Sequence, residues 1–308
     1  MDENKEKKTE SLPSHGDWAE LTQLCLIKIL SRLSLEDRWR GAMFVCKPWF
    51  QACKDPNLNS VIDFETQFDS TTESPRYWTP EFERKMDNML RSVVLWSDGS
   101  LSTVRVRHCS DRSLALVAER SPNLQVLCIK SCQHVTDETM SKIAFGCPLL
   151  RELDISLCYQ ISHMSLALIG QHCANLKILR RNFTNRVDHS RQQRFIPREY
   201  LDACPQDGDS ETAAIGKFML KLVQLELRFS DLTNKGLALI SEGCVNLEHL
   251  DLTGCTNVTS RDISNASSNL KQLKTLKKPQ FYFPTFESER YGHWQLYDER
   301  FQTGDFRI

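Results

Sequence analysis

Residues 124–150, LQVLCIKSCQHVTDETMSKIAFGCPLL, hold one complete unit of a phrase that recurs along most of this chain. Its opening leucine returns at Leu101, Leu124, Leu150 and Leu176, and again at Leu222, Leu247 and Leu270. The spacings are 23, 26 and 26 residues, then 25 and 23. A unit of one strand and one helix cannot bury its own apolar face, so a fixed period in this range predicts copies stacked into a solenoid. The gap of 46 between Leu176 and Leu222 exceeds one period by about 20 residues, so one repeat carries an insertion.

Each unit reads Leu-x-x-Leu-x-Leu-x-x-Cys, then a polar stretch, then an apolar run ending near Cys-Pro-x-Leu. Leu153 with Ile155, and Leu250 with Leu252, alternate with polar neighbours as a short strand requires, whereas Leu166 and Ile169 keep helical spacing. Cys109, Cys132, Cys158 and Cys255 share one repeat position, with Ser230 and Asn182 read as stand-ins. The pattern resembles the cysteine-containing class of leucine-rich repeats. The fold class it implies is α/β, a short right-handed leucine-rich-repeat solenoid with a strand and a helix per repeat.

At 308 residues the chain accommodates such an array plus one small domain. Lys and Arg number 39 against 40 Asp and Glu, a formal net charge of −1, which gives no field of the kind that draws nucleic acid. No apolar run approaches membrane-spanning length, and the start, MDENKEKKTESLPSHG, is charged rather than signal-like, so an intracellular setting is expected. Of the 12 cysteines, Cys147, Cys173 and Cys244 share a second repeat position, so periodic packing explains seven. No C-x-x-C pair or zinc-spaced Cys/His cluster is present, and neither metal nor cofactor is expected.

Residues 17–57 fall outside the repeat. Leu26, Ile29, Leu30 and Leu33 make an amphipathic stripe, Ser34 with Asp37 starts a second helix, and Val45 with Trp49 marks a third apolar face. Three helices this short hold little core, so they are expected to leave apolar surface for a partner, or else to cap the open end of the solenoid. Leu21, the run Ile29-Leu30-Ser31-Arg32-Leu33, Leu35, and Val45-Cys46-Lys47-Pro48-Trp49 resemble an F-box. With the repeats, nearly the full length is similar to the F-box/leucine-rich-repeat proteins, and RWRG, DACPQDGD and ERYGHW look close to the plant Skp-interacting F-box type. Thr22 stands where a proline commonly follows the first leucine of the motif, and Arg38-Trp39 where two apolar residues are common. The resemblance implies a Skp-family adaptor bound through Leu21, Leu26, Ile29, Leu30, Leu33, Leu35, Val45 and Trp49. It also implies cullin and RING subunits reached through that adaptor, and a location in the nucleus, the cytoplasm or both.

Residues 58–100 read as a degenerate first repeat: a strand in LNSVIDF, then a helix opened by Thr79-Pro80-Glu81 and carrying Phe82, Met86, Met89, Leu90 and Val93. Residues 101–278 form the regular repeats. Alternation places Arg105, Arg107, Lys130, Glu152, Asp154, Arg180, Glu226, Arg228, His249 and Asp251 on the concave side, a charge-patterned groove suited to an unknown protein substrate. Solvated strand residues are the plainer reading, and Asp154 and Asp251 match a common repeat consensus.

The insertion, about residues 183–217, is charge-split. Arg180, Arg181, Arg186, Arg191, Arg194 and Arg198 precede Glu199, Asp202, Asp207, Asp209 and Glu211, which fits a phosphate-binding cluster or a self-neutralising loop. Arg181 occupies a strand position that is leucine elsewhere. Residues 1–16 read as disordered, and 279–308, with nine of the chain's 27 aromatics, as a cap on the last repeat. No phosphate-binding loop, nucleophile elbow or spaced histidines occur, so a non-catalytic subunit is expected. The resemblance implies a substrate receptor of a cullin-based ubiquitin ligase. The alternative is a repeat scaffold or inhibitor that binds a protein without any link to ubiquitin.

Overall fold

In a computed structural model, the described residues are 21–65, 68, 74–184, 197, 200 and 207–279. The readings of residues 1–16, of the insertion's Arg186, Arg191, Arg194, Arg198, Glu199 and Asp202, and of the tail beyond 279 lie outside them. Three short helices come first: α1 (Gln23–Leu30), α2 (Leu35–Arg40) and α3 (Lys47–Cys53). Strand β1 (Val61–Asp63) and the long helix α4 (Pro80–Ser97) follow. Strands β2 (Thr103–Arg107), β3 (Val126–Lys130), β4 (Glu152–Asp154) and β5 (Ile178–Arg180) then alternate with helices α5 (Asp111–Arg120), α6 (Asp137–Gly146) and α7 (His163–His172). After the insertion come α8 (Gly208–Phe218), β6 (Gln224–Glu226), α9 (Asn234–Gly243), β7 (His249–Asp251), α10 (Ser260–Asn269) and β8 (Thr275–Lys277).

The eight strands form one parallel sheet in chain order, in continuous register from Ile62 and Val104 through Leu127, Leu153, Leu179 and Leu225 to Leu250 and Leu276. The repeat leucines Leu101, Leu124, Leu150, Leu222 and Leu247 are wholly buried, each contributing roughly 1.5–3 kcal/mol of transfer free energy. Helices pack closely enough that a Cβ on Gly243 would lie 1.9 Å from the carbonyl oxygen of Gly216.

The repeat cysteines line the interior as free thiols. Cys158 Sγ donates to the Ile129 carbonyl at 3.3 Å and Cys255 Sγ to that of Leu227 at 3.0 Å, so each satisfies the backbone of the preceding repeat. Burial pushes the Cys255, Cys147 and Cys244 thiols up to about 12, as expected of packed apolar side chains. One assignment needs correction. The register that pairs Arg180 with Glu226 aligns Thr184, not Asn182, with Ser230. Asn182 sits two residues earlier, where its Oδ1 accepts from the Arg228 backbone N–H at 3.1 Å.

A ladder of aspartates, missed in the sequence, ties α4 to α5, α5 to α6, α6 to α7 and α8 to α9. Asp87 accepts from Ser110 N at 2.9 Å and Ser110 Oγ at 2.6 Å; Asp111 does the same for Thr136 at 2.9 and 2.7 Å. Asp137 caps Ser162 at 2.8 and 2.6 Å, and Asp209 caps Thr233 at 2.8 and 2.7 Å. These carboxylates occupy the otherwise unsatisfied amides at helix starts, where the dipole favours negative charge. The signal, for Asp111, Asp137 and Asp209, was an acidic residue in a helix's first turn, one period before the next Ser or Thr cap; Asp87 lies deeper in the long α4.

The insertion is shorter than expected, because α8 packs between α7 and α9 as a repeat helix, so Asp209 and Glu211 belong to the solenoid. Arg181, which breaks the leucine pattern, is wholly buried and pairs with Glu211 of α8 at 2.9 Å. Its guanidinium also donates to the carbonyls of Cys158 at 2.7 Å and Ile161 at 2.6 Å. Arg181 is thereby removed from any phosphate-binding cluster. Tyr200, within the insertion, is pinned onto earlier repeats: its hydroxyl donates to the Cys132 carbonyl at 2.9 Å and its ring lies 4.9 Å from that of Tyr159.

Candidate functional site

The first three helices enclose a small core of Leu26, Leu30, Ala42, Ala52, Cys53 and Leu58. Thr22 caps α1, its hydroxyl accepting from Cys25 N, and Ser34 caps α2 by accepting from Asp37 N at 3.1 Å. Leu26 and Leu30, read from the sequence as partner-binding, are 1% and 0% exposed and cannot present a surface. The same periodicity marks a buried stripe and a docking stripe, and here the module keeps the stripe for itself. Leu35 packs half-buried against the core of the repeats.

Apolar surface remains at other positions. Leu24 and Phe44 are each 80% exposed and Val45 56%, while Leu21, Ile29, Leu33 and Trp49 are half-buried. Leu24 and Phe44 were missed. Their signal was the surplus of apolar residues in TQLCLIKIL and GAMFVC beyond what one inward face can take.

Arg38 and Trp39 have a different task from the apolar pair they replace. Arg38 is buried and its Nη1 donates to the Leu58 carbonyl at 2.7 Å. The Trp39 ring meets Phe64 at 6.0 Å and Trp96 at 5.7 Å, both edge to face. Asn59 Nδ2, donating to the carbonyls of Cys53 at 2.9 Å and Asp55 at 2.8 Å, fixes the short connection into β1. The helical module is thus packed onto the first repeat by side chains of its own middle helix.

On the concave face the charged residues pair across the strands. Asp63 meets Arg105 at 3.9 Å, Arg105 meets Glu152 at 3.3 Å, Glu152 meets Arg180 at 2.6 Å, and Arg180 meets Glu226 at 3.2 Å. The chain continues through Arg228, 3.7 Å from Glu226 and 2.7 Å from Asp251, to Lys277, 3.3 Å from Asp251. A branch joins Arg107 and Lys130 to Glu65, and Lys130 to Asp154 at 3.6 Å. Burial alone would raise Glu65 and Glu152, but hydrogen bonds and charge from Arg107 and Lys130, and from Arg180 and Arg105, outweigh it and hold both carboxyls below their ordinary value. Asp251 is likewise lowered against its burial, by Thr253 and Arg228. Nine of the ten residues read as substrate-binding therefore engage one another or Glu65, Asp63 and Lys277; His249 sits half-buried in β7 outside these pairs. Asp154 and Asp251 also accept the backbone amides of Ser156 and Thr253, each at 3.0 Å, which is a structural use of the consensus aspartate.

Residues 11–60 match the F-box domain family. Over 297 residues the chain is 54% identical to the F-box protein SKIP1 of Arabidopsis thaliana, covering 95% of this chain and 98% of that protein. The chain belongs to the F-box/leucine-rich-repeat proteins. F-box/LRR-repeat protein 19 of the same plant is 55% identical over 270 residues, 88% of this chain and 90% of its own length. The yeast Rad7 and Elc1 crystal structure aligns with 82% of this chain and 66% of its own at 14% identity, with a TM-score of 0.37, too distant to bear on the argument.

The F-box therefore presents Leu24, Phe44 and Val45 outward while its middle helix faces the repeats. Among the described residues no group of three or more His, Cys, Asp or Glu side chains could hold a metal ion, and no helix is long and apolar enough to cross a membrane. The arrangement fixes an outward apolar set on the helical module and a charge-paired face on the repeats in one packed molecule.

Proposed function

We propose that this chain is the substrate-recognition subunit of a Skp-cullin-F-box ubiquitin ligase. The F-box docks on a Skp-family adaptor, and through it on cullin and RING subunits, while the repeats hold a target protein for ubiquitination and degradation. The observation that carries this reading is the outward apolar set Leu24, Phe44 and Val45 on a module too small to need it for its own core. Leu21, Ile29, Leu33 and Trp49 of the same module are half-buried and keep part of their apolar surface open.

The chain contributes no chemistry of its own. It raises the local concentration of target lysines beside a ubiquitin-charged enzyme, and the Arg38 and Trp39 packing supports a fixed geometry between the two partners. This work is suited to the nucleus or cytoplasm, where adaptor and ligase meet.

The test is affinity purification of the intact chain beside Leu24→Asp and Phe44→Asp variants. The expected result is adaptor captured by the intact chain and lost from both variants, whose melting temperatures stay unchanged because neither side chain is in the core. Adaptor retained by both variants sinks the assignment of this surface; no adaptor with the intact chain favours a repeat scaffold with no tie to ubiquitin.

A further inference from the structure

The concave face carries two kinds of column, and only one is occupied with itself. Six acids, Asp63, Glu65, Glu152, Asp154, Glu226 and Asp251, are matched there by six bases, Arg105, Arg107, Lys130, Arg180, Arg228 and Lys277. The ladder is neutral and internally satisfied. A target carboxylate or ammonium that came to it would have to displace a partner already in place, with no net field to draw it in.

Two residues earlier along each strand, and so on the same face, runs a second column. The register aligns Val61, Thr103, Val126, Glu152, Ile178, Gln224, His249 and Thr275 across the eight strands. Glu152 is its one carboxylate and is turned into the ladder, and Gln224 Nε2 donates to Glu226 at 2.8 Å. Its first five positions hold three aliphatic side chains, Val61, Val126 and Ile178, with Thr103 and the ladder-bound Glu152 between them. Val61 is 47% exposed, and Val126 and Ile178 are half-buried with faces to solvent.

We propose that the repeats take their target through this column, whose one carboxylate is already paired within the ladder, as an extended segment of aliphatic and uncharged polar side chains laid across the strands from Val61 toward Ile178. The inference rests on the reading that the repeats hold a target, and adds the chemical class of what they hold. Strands spaced about 4.8 Å apart place Val61 and Ile178 roughly 19 Å from each other, the reach of about six extended residues. Such a segment buries apolar area against Val61, Val126 and Ile178 and leaves every ion pair of the ladder intact. The competing occupant is an acidic segment caught by Arg151 and Lys177, both exposed, at the sheet's edge.

The experiment selects a displayed library of random peptides of about seven residues against the purified full-length chain with adaptor supplied in solution, then measures the enriched peptides by fluorescence anisotropy. Enrichment of uncharged, β-branched and aliphatic peptides is expected, with affinity nearly constant between about 50 and 500 mM salt. Val126→Asp should weaken them by about tenfold or more, and Lys277→Gln should leave them unchanged. If Val126→Asp lowers the melting temperature, Val126→Thr keeps the shape and is expected to weaken binding by about threefold. Acidic or basic peptides, a steep salt dependence, indifference to both Val126 variants, or no enrichment each overturns the inference. Adaptor capture is scored on the same protein: adaptor bound with only charged peptides leaves the ligase reading standing, whereas uncharged peptides without adaptor remove that reading alone.

Discussion

Arg181 and Glu211 form a buried ion pair, Nε and Nη2 each reaching the same carboxylate at 3.2 and 2.9 Å, in a layer where the other repeats place Val106, Ile129, Ile155, Leu227 and Leu252. The pair joins the strand before the insertion to the helix after it, so it closes the solenoid across the extra chain. Breaking one partner of such a pair strands the other charge in low dielectric. Glu211→Gln is expected to cost about 3–5 kcal/mol in chemical denaturation. The double change Arg181→Leu with Glu211→Leu should cost less than Glu211→Gln alone, since no charge is then left buried. A double variant less stable than the single would refute this account.

Trp39 is a joint rather than a docking residue. Its edge-to-face contacts with Phe64 and Trp96 couple the F-box to the first repeat, and Lys54 adds a cation 3.9 Å from the Phe50 ring and 5.8 Å from Trp96. Trp39→Ala is expected to cost on the order of 1–3 kcal/mol, below a fully buried tryptophan, and to leave adaptor affinity unchanged. Small-angle scattering of the adaptor complex should then register a broader distribution of dimensions. A variant that loses adaptor while keeping its dimensions would place Trp39 in the interface instead.

The period of leucine and cysteine was enough to read the solenoid, because burial repeats wherever a strand repeats and a parallel array offers one way to stack. The F-box was legible through its helices, yet its surface was not. Leu26 and Leu30 satisfy the same helical spacing that an exposed stripe would, and only the partner element decides which face is sealed. The concave charges were legible as positions and not as a network, since Arg105 reaches Glu152 two strands away and no local pattern encodes that distance. Arg181 was visible as an irregularity. Its reason lay in Glu211, beyond the insertion.

His108 gives the molecule a distinct response to acid. It is buried among Trp78 at 4.9 Å, Tyr77 and Phe82 both at 5.8 Å, and Phe68 at 6.1 Å, and burial, then the charge of Arg107, pushes its pKa from 6.5 down to about 3. Between those values the unfolded chain binds a proton that the folded one refuses. Stability is therefore present above pH 6.5 and falls as pH drops toward 3, at up to about 1.4 kcal/mol per pH unit. The lowered Glu65, Glu152 and Asp251 act in a later window: their contribution is whole above the ordinary carboxylate values of 4.5 and 3.8 and is lost below them. Melting temperatures of the native chain and His108→Asn across pH 7 to 3 separate the two. Asparagine tolerates the positive φ of 52° at this position, and the variant should lose only the upper part of the slope. An unchanged slope would exclude His108 as its source.

The residue just before the cysteine position turns left-handed in repeat after repeat: φ is 52° at His108, 54° at Ser131, 60° at Leu157, 56° at Phe229 and 77° at Gly254. Four of these five side chains pay a steric cost that glycine avoids, and the turn persists because the buried cysteine or serine after it fixes the path of the chain. Ser131→Gly, which meets no change in φ, is expected to shift the melting temperature by little, the relief of strain offsetting the added freedom of the unfolded chain. Gly254→Ala combines two penalties, a strained φ and a Cβ placed 2.1 Å from the Phe229 ring, and should cost about 1–3 kcal/mol. In the double variant Gly254→Ala with Phe229→Leu the ring is gone and only the backbone penalty remains. Recovery of part of the loss in a double-mutant cycle would assign the rest to φ, and full additivity would show that the ring contact carries none of it.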